Sequence, residues 1–140
     1  MEIMANKKEI LTIFKEQIEI LKNELIASTQ LLQKGYFVYS HAVMNDSGVF
    51  VAYLSCGNDS VVESLELILN VTFEENVLLI ETDIYLTDGS VVREFGITRI
   101  EWIDLDQMKQ SLDNFFKRLT RKELNEYALI VMQLGEQTRL

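Results

Sequence analysis

Apolar residues recur along this chain with two different periods, and the switch between them lays out the fold. From about Lys7 to Lys34 the period is helical. Leu11, Phe14, Ile18, Leu21, Leu25, Ser28 and Leu32 alternate three- and four-residue steps, which makes an a/d heptad seam. Ile10, Ile13, Ile20 and Ile26 widen that apolar face. Gly35 stands where a helix-ending glycine belongs, with Lys34 in the last turn. Such a helix is roughly 40 Å long, about the width of a small domain. The seam has two uses: packing across the chain's own sheet, or pairing with a second copy. Leu11, Phe14, Ile18, Leu21 and Leu25 are therefore candidate homodimer contacts as well as candidate core.

After Gly35 the period drops to two. Tyr36 to Met44 and Val49 to Cys56 are aromatic and β-branched and flank the turn Asn45-Asp46-Ser47-Gly48. Closed over those four residues, the hairpin sets His41 opposite Ala52 and Cys56 opposite Phe37. Gly57-Asn58-Asp59-Ser60 signals another turn. Val61 to Phe73 alternates through Leu65, Leu67, Leu69 and Val71, and Val77 to Leu86 follows a turn at Glu75-Asn76. Asp88-Gly89 is a strong hairpin signal leading into Val91 to Ile103, with Gly96 as a bulge.

Two-residue loops at Glu75-Asn76 and Asp88-Gly89 give registers that test each other. The first pairs Phe73 with Leu78, Val71 with Ile80 and Leu67 with Ile84. The second pairs Leu86 with Val91, Ile84 with Arg93 and Thr82 with Phe95. Together they gather Leu65, Leu67, Leu69, Val71, Phe73, Leu78, Ile80, Ile84, Leu86, Val91 and Phe95 on one face; a one-residue slip in either hairpin breaks the match. Asp83 and Glu94 then stand opposite each other on the solvated face, with Glu81 beside them.

The helical period returns near Asp104. Asp104 and Gln107 form a capping box, and Leu105, Met108, Leu112, Phe115, Phe116 and Leu119 the apolar stripe behind it. Thr120 and Glu123 read as a second capping box, opening a helix with Leu124, Tyr127, Ala128, Val131 and Leu134 that Gly135 ends, before a frayed tail. The expected architecture is α+β: a long N-terminal helix, a five-stranded antiparallel meander sheet and two C-terminal helices, in a single domain over residues 1–140.

Charge sharpens this picture once it is located. Between Gly35 and Val92 there is no Lys or Arg but nine carboxylates, among them Glu66, Glu81 and Asp83. The other 13 carboxylates are matched by all 13 Lys and Arg, so the net charge of −9 belongs to the middle segment. Direct nucleic-acid binding there is disfavoured, because phosphates need Lys and Arg; a basic protein segment or a metal cation is attracted instead. Composition is that of a folded globular chain, 48% hydrophobic and 25% charged. No apolar run spans a membrane, the N-terminus lacks a signal-peptide pattern, and a lone Cys56 suits a reducing compartment, so a cytoplasmic location is expected.

Catalytic chemistry finds little support. No glycine-rich phosphate loop, Ser-His-Asp set or HExxH is present, and no pattern calls for a cofactor. His41 and Cys56 are unique, but the hairpin sets them about 13 Å apart, too far for a nucleophile pair, and alone they make a poor zinc site. The acidic turns hold oxygen ligands for Ca²⁺ without matching an EF-hand loop. Lys117, Arg118, Arg121 and Lys122 make a basic knot only half explained by a helix C-terminus. Trp102 reads as core or a sheet-to-helix corner. The expectation is a non-enzymatic interaction module of adaptor, chaperone, immunity or inhibitor type, using Glu66, Glu81, Asp83 and Glu94 to meet a basic partner. A Ca²⁺ or small-ligand protein and an enzyme using Tyr39, His41 or the Asp83–Glu94 pair are the alternatives.

Overall fold

In a computed structural model, which describes residues 2–44, 49–57 and 64–137, the α+β architecture is present as expected. A long helix α1 (Glu2–Thr29) leads into five strands and two helices. The strands are β1 (Phe37–Met44), β2 (Phe50–Gly57), β3 (Leu65–Glu74), β4 (Val77–Leu86) and β5 (Val91–Glu101). They pair in chain order, each antiparallel to the next, so the sheet is a meander. The helices α2 (Leu105–Arg121) and α3 (Glu123–Gln137) follow, separated by Lys122 alone, and read as one bent helix. The turns at 45–48 and 58–63, and the end of the tail from residue 138, lie outside the described residues.

All three helices bury their apolar stripes against one face of the sheet. Phe14 of α1 sits edge-on to Phe50 of β2 and to Phe116 of α2, with ring centres 5.2 and 5.1 Å apart. Phe50, Leu54, Leu67, Leu69, Val71, Leu78, Ile80 and Ile84 are fully buried beneath them. From α3, Tyr127 reaches in and its hydroxyl donates to the carbonyl of Leu65 at 2.7 Å, with the Leu54 carbonyl at 3.5 Å. Trp102 is buried at the sheet-to-helix corner, its backbone N–H donating to Asn76 O.

The α1 seam is used up inside the chain. Phe14, Ile18, Leu21 and Leu25 are 0–2% exposed, and Leu11 is half-buried against the same core, so they offer a second copy almost nothing. The last heptad position, Leu32, departs from expectation, because the helix stops at Thr29 instead of running on to Lys34. Gln30 takes the left-handed conformation at φ 58°, and a separate turn over 31–35 follows, in which Gly35 holds φ 88°. That change of direction swaps the burial: Leu31 is fully buried, while Leu32 is 53% exposed.

The β3–β4 register matches the expected one at every pair, from Leu65↔Leu86 to Glu74↔Val77. Across β4–β5 the expected Ile84↔Arg93 and Asp83↔Glu94 pairs hold, but two others do not. The loop has three residues, Thr87-Asp88-Gly89, closed by Leu86 N–H to Ser90 O, with Gly89 at φ 91°. Val91 therefore faces Tyr85 on the other side of the sheet and is 49% exposed. Gly96, at φ 98°, faces Thr82 and leaves Phe95 in a bulge, the glycine bulge the sequence suggested.

The first hairpin shifts by one: His41 pairs with Tyr53, Ala42 with Ala52 and Val38 with Cys56. Burial explains the choice. Phe50, Ala52, Leu54 and Cys56 are the buried side of β2, and this register sets Met44, Ala42, Ser40 and Val38 beside them. At the other end of the chain, Thr120 is no N-cap. Its hydroxyl donates back to Phe116 O inside α2, a bond that bends helices, and the bend follows at Lys122. Gly135 does not end α3, which runs on to Gln137; a glycine weakens a helix without stopping it.

Candidate functional site

With every helix on one side, no described element covers the other side of the sheet. Strand pairing arranges its side chains in rows perpendicular to the strands. One row reads His41, Tyr53, Ile68, Asp83, Glu94 across β1 to β5. The next reads Tyr39, Ser55, Glu66, Tyr85, Val91, and the one on the other side Val43, Val51, Asn70, Glu81, Ile97. The face thus divides. Its β1–β2 half is aromatic and uncharged, with Phe37 stacked on Tyr39 at 5.6 Å and His41 against Tyr53 at 5.6 Å. Its β3–β5 half holds Glu66, Glu81, Asp83 and Glu94 among Ile68, Leu79, Tyr85 and Ile97. Among the described residues Arg99 is the cation of this face, and Glu101 already binds it at 2.8 Å. Arg93 belongs to the helical side, where Glu126 of α3 holds it at 2.9 Å.

The structure sets the four expected acidic residues on one face, with Glu81, Asp83 and Glu94 as neighbours and Glu66 apart from them opposite Tyr85, and with one correction. Asp83 was expected on a solvated surface, yet it is 2% exposed. Strand neighbours wall it in: Ile68 and Glu94 on either side, Glu81 and Tyr85 along its own strand. The Tyr85 hydroxyl donates to Asp83 Oδ2 at 3.3 Å. Burial pushes the Asp83 carboxyl above its ordinary range, and the hydrogen bond and negative charge of Glu81 push it the same way. Glu66 is also raised, by burial. Tyr85 and Tyr53 are raised first by burial and then by neighbouring carboxylates, Asp83 for the former and Glu66 for the latter. A buried carboxylate beside Glu81 and opposite Glu94 holds unfavourable charge that an incoming cation would relieve.

The catalytic alternatives are not assembled. His41 stands on the open face and Cys56 on the helical face, so the imidazole and the thiol point away from each other. Burial pushes the Cys56 thiol up to about 11, against a smaller lowering by the Tyr127 hydroxyl. Three strand spacings, about 14 Å, separate His41 from Asp83 within their row. Among the described residues no group of three or more His, Cys, Asp or Glu is placed to hold a metal ion. The turns Asn45-Asp46-Ser47 and Asn58-Asp59-Ser60 lie outside those residues. The basic knot is split by the bend. Lys117 pairs with Asp113 at 3.0 Å, Arg118 lies over Phe115 and donates to Thr98 Oγ1 at 3.0 Å, and Arg121 and Lys122 are exposed at the corner. Arg118 and Thr98 border a cavity of 390 Å³ between β5 and α2.

The aromatic half of the face was not singled out from the sequence. Its signal was there, in the odd positions Phe37, Tyr39, His41 and Val43 alternating with the core-facing Val38, Ala42 and Met44. Among the described residues no helix is long and apolar enough to cross a membrane. Comparison with protein-family models, curated proteins and solved structures finds no match to this chain.

Proposed function

We propose that this protein is a non-enzymatic interaction module of the cytoplasm that docks a basic, partly apolar protein segment on the open face of its sheet. The observation that supports this reading is Asp83, a buried carboxylate with raised affinity for protons, flanked by Glu81 and Glu94 in a face with no described helix over it. A Lys or Arg side chain set over that cluster relieves the repulsion and gains charge-assisted hydrogen bonds. Exposed Ile97 at 65% and half-buried Ile68, Leu79 and Tyr85 supply the apolar surroundings that such a segment buries. Glu66 extends the acidic patch toward the aromatic half. An adaptor, chaperone, immunity or inhibitor role uses such a face in the same physical way.

Selection from a random peptide library against the immobilised protein tests this. The expected ligands place Lys or Arg among apolar residues, weaken with added salt, and are lost on a Glu81→Lys/Glu94→Lys variant that still unfolds cooperatively. Ligands without basic residues, or equal binding to the variant, would overturn the proposal.

A further inference from the structure

The two edges of the sheet are built differently. β5 is defended against pairing: two register shifts break its ladder, Gly96 bends it, and Arg93, Glu94, Arg99 and Glu101 line it with charge. β1 carries none of these devices. FVYSHAVM has no Lys, Arg, Asp, Glu, Pro or Gly, and its eight residues pair with β2 without a shift. Among the described residues β1 has β2 on one side and no strand on the other. Its outward side chains Phe37, Tyr39 and Val43 are 41%, 50% and 44% exposed. A regular, neutral, aromatic edge of this length is a template for another strand.

We infer that β1 pairs antiparallel with β1 of a second copy, joining the two sheets into one of ten strands about a two-fold axis at Ser40. Charge selects this occupant. The chain carries −9, so most ways of bringing two copies together set carboxylates against each other. Pairing through β1 brings none from the strands, because neither β1 nor β2 holds a carboxylate, and Glu19 of α1, which accepts from Ser40 Oγ at 2.6 Å beside the axis, is already paired with Lys22. It sends the acidic halves to opposite ends, with Asp83 on β4 roughly 34 Å from its copy, seven strand spacings away. That is several times the screening length of about 8 Å at physiological salt. Joining through β5 would instead bring the two acidic halves together, with Glu94 at the seam and Glu81 and Asp83 one strand behind it in each copy.

The strand is also self-complementary. Faces match only when outward residues meet outward residues, and the axis at Ser40 achieves this over the whole strand. Phe37 then meets Val43 of the other copy and Tyr39 meets His41, which are favourable aromatic–aliphatic and aromatic–aromatic cross-strand pairs. This pairing does not depend on what the acidic cluster binds, since that cluster lies at the far side of each sheet.

Sedimentation velocity from micromolar to millimolar concentration tests the inference on the whole chain. The wild type is expected to shift from monomer to dimer as concentration rises. Tyr39→Lys/His41→Lys, which alters two exposed positions and sets lysines face to face across the axis, is expected to stay monomeric with an unchanged far-UV spectrum. As a second measurement, Ser40→Cys is expected to form an inter-chain disulfide under mild oxidation. Opposed residues in an antiparallel pair have Cα atoms about 4.5–5.5 Å apart, within disulfide reach. A wild type that remains monomeric at millimolar concentration overturns the inference. So does a dimer that survives the double substitution, or a Ser40→Cys protein that oxidises without cross-linking.

Discussion

Replacing Asp83 with Asn should make the protein more stable at neutral pH, although Asp83 is buried and hydrogen-bonded. Asn fills the same volume, and its amide oxygen can still accept from the Tyr85 hydroxyl, which at 3.3 Å is a long bond and a small loss in any case. What disappears is a negative charge facing Glu94 across the strands and lying beside Glu81. A directly opposed like-charge pair costs up to about 1 kcal/mol. Because Glu81 and Glu94 are exposed and screened, the two repulsions plus the burial cost together amount to about 1 kcal/mol. For a chain of this length that raises the Tm by about 4 °C.

The sign of the pH dependence follows from the raised pKa. On acidification the folded chain takes up the Asp83 proton before the unfolded chain does, so this group adds stability as pH falls through its folded value and removes it as pH rises. Asn imitates the protonated form. The gap between variant and wild type should therefore be widest near pH 7 and close toward pH 3, below the ordinary Asp value of about 3.9. Urea melts of both proteins across that range measure it. A variant less stable than wild type at pH 7, or a gap that stays constant with pH, would refute the reasoning.

Three further outcomes follow from the core. Tyr127→Phe leaves the Leu65 carbonyl without its 2.7 Å donor and should cost about 1–3 kcal/mol in urea melts, despite the loss of one atom only. Leu21, at 1% exposure, should tolerate neither charge nor truncation: Leu21→Ala is expected to lose about 2–5 kcal/mol, and Leu21→Glu to abolish cooperative unfolding by circular dichroism rather than yield a folded monomer. The Cys56 thiol, 2% exposed and pushed up to about 11, should not react with a thiol-specific disulfide reagent at pH 8 until denaturant is added, and then give one equivalent.

Where neighbouring residues settled a feature, the sequence revealed it. The β3–β4 hairpin was readable because Leu65, Leu67, Leu69, Val71 and Phe73 oppose an equally apolar series over a two-residue turn, and no other register buries both. The acidic quartet was readable for the same reason. The β1–β2 register was not, because the chain between Met44 and Phe50 permits closures differing by one residue, and burial of Phe50 and Leu54 under α1 made the choice. Asp83 illustrates the same limit at the site. Its position on the open face followed from alternation, but its burial came from Ile68, Tyr85 and Glu94 closing around it, which no linear pattern encodes. The helix ends at Gln30 and Lys122 depended on where Leu31 and Leu124 found room in the core.

The Tyr127 hydroxyl ties α3 to carbonyls of β2 and β3 that lie 73 and 62 residues earlier in the chain. Every strand pairing, by contrast, joins neighbours in sequence. During synthesis the meander can therefore assemble hairpin by hairpin while its helical face is still unsealed at that end. The fold is fastened only when α3 has been made, so the interval between β5 and α3 is when a nascent chain with bare strands is most prone to aggregate.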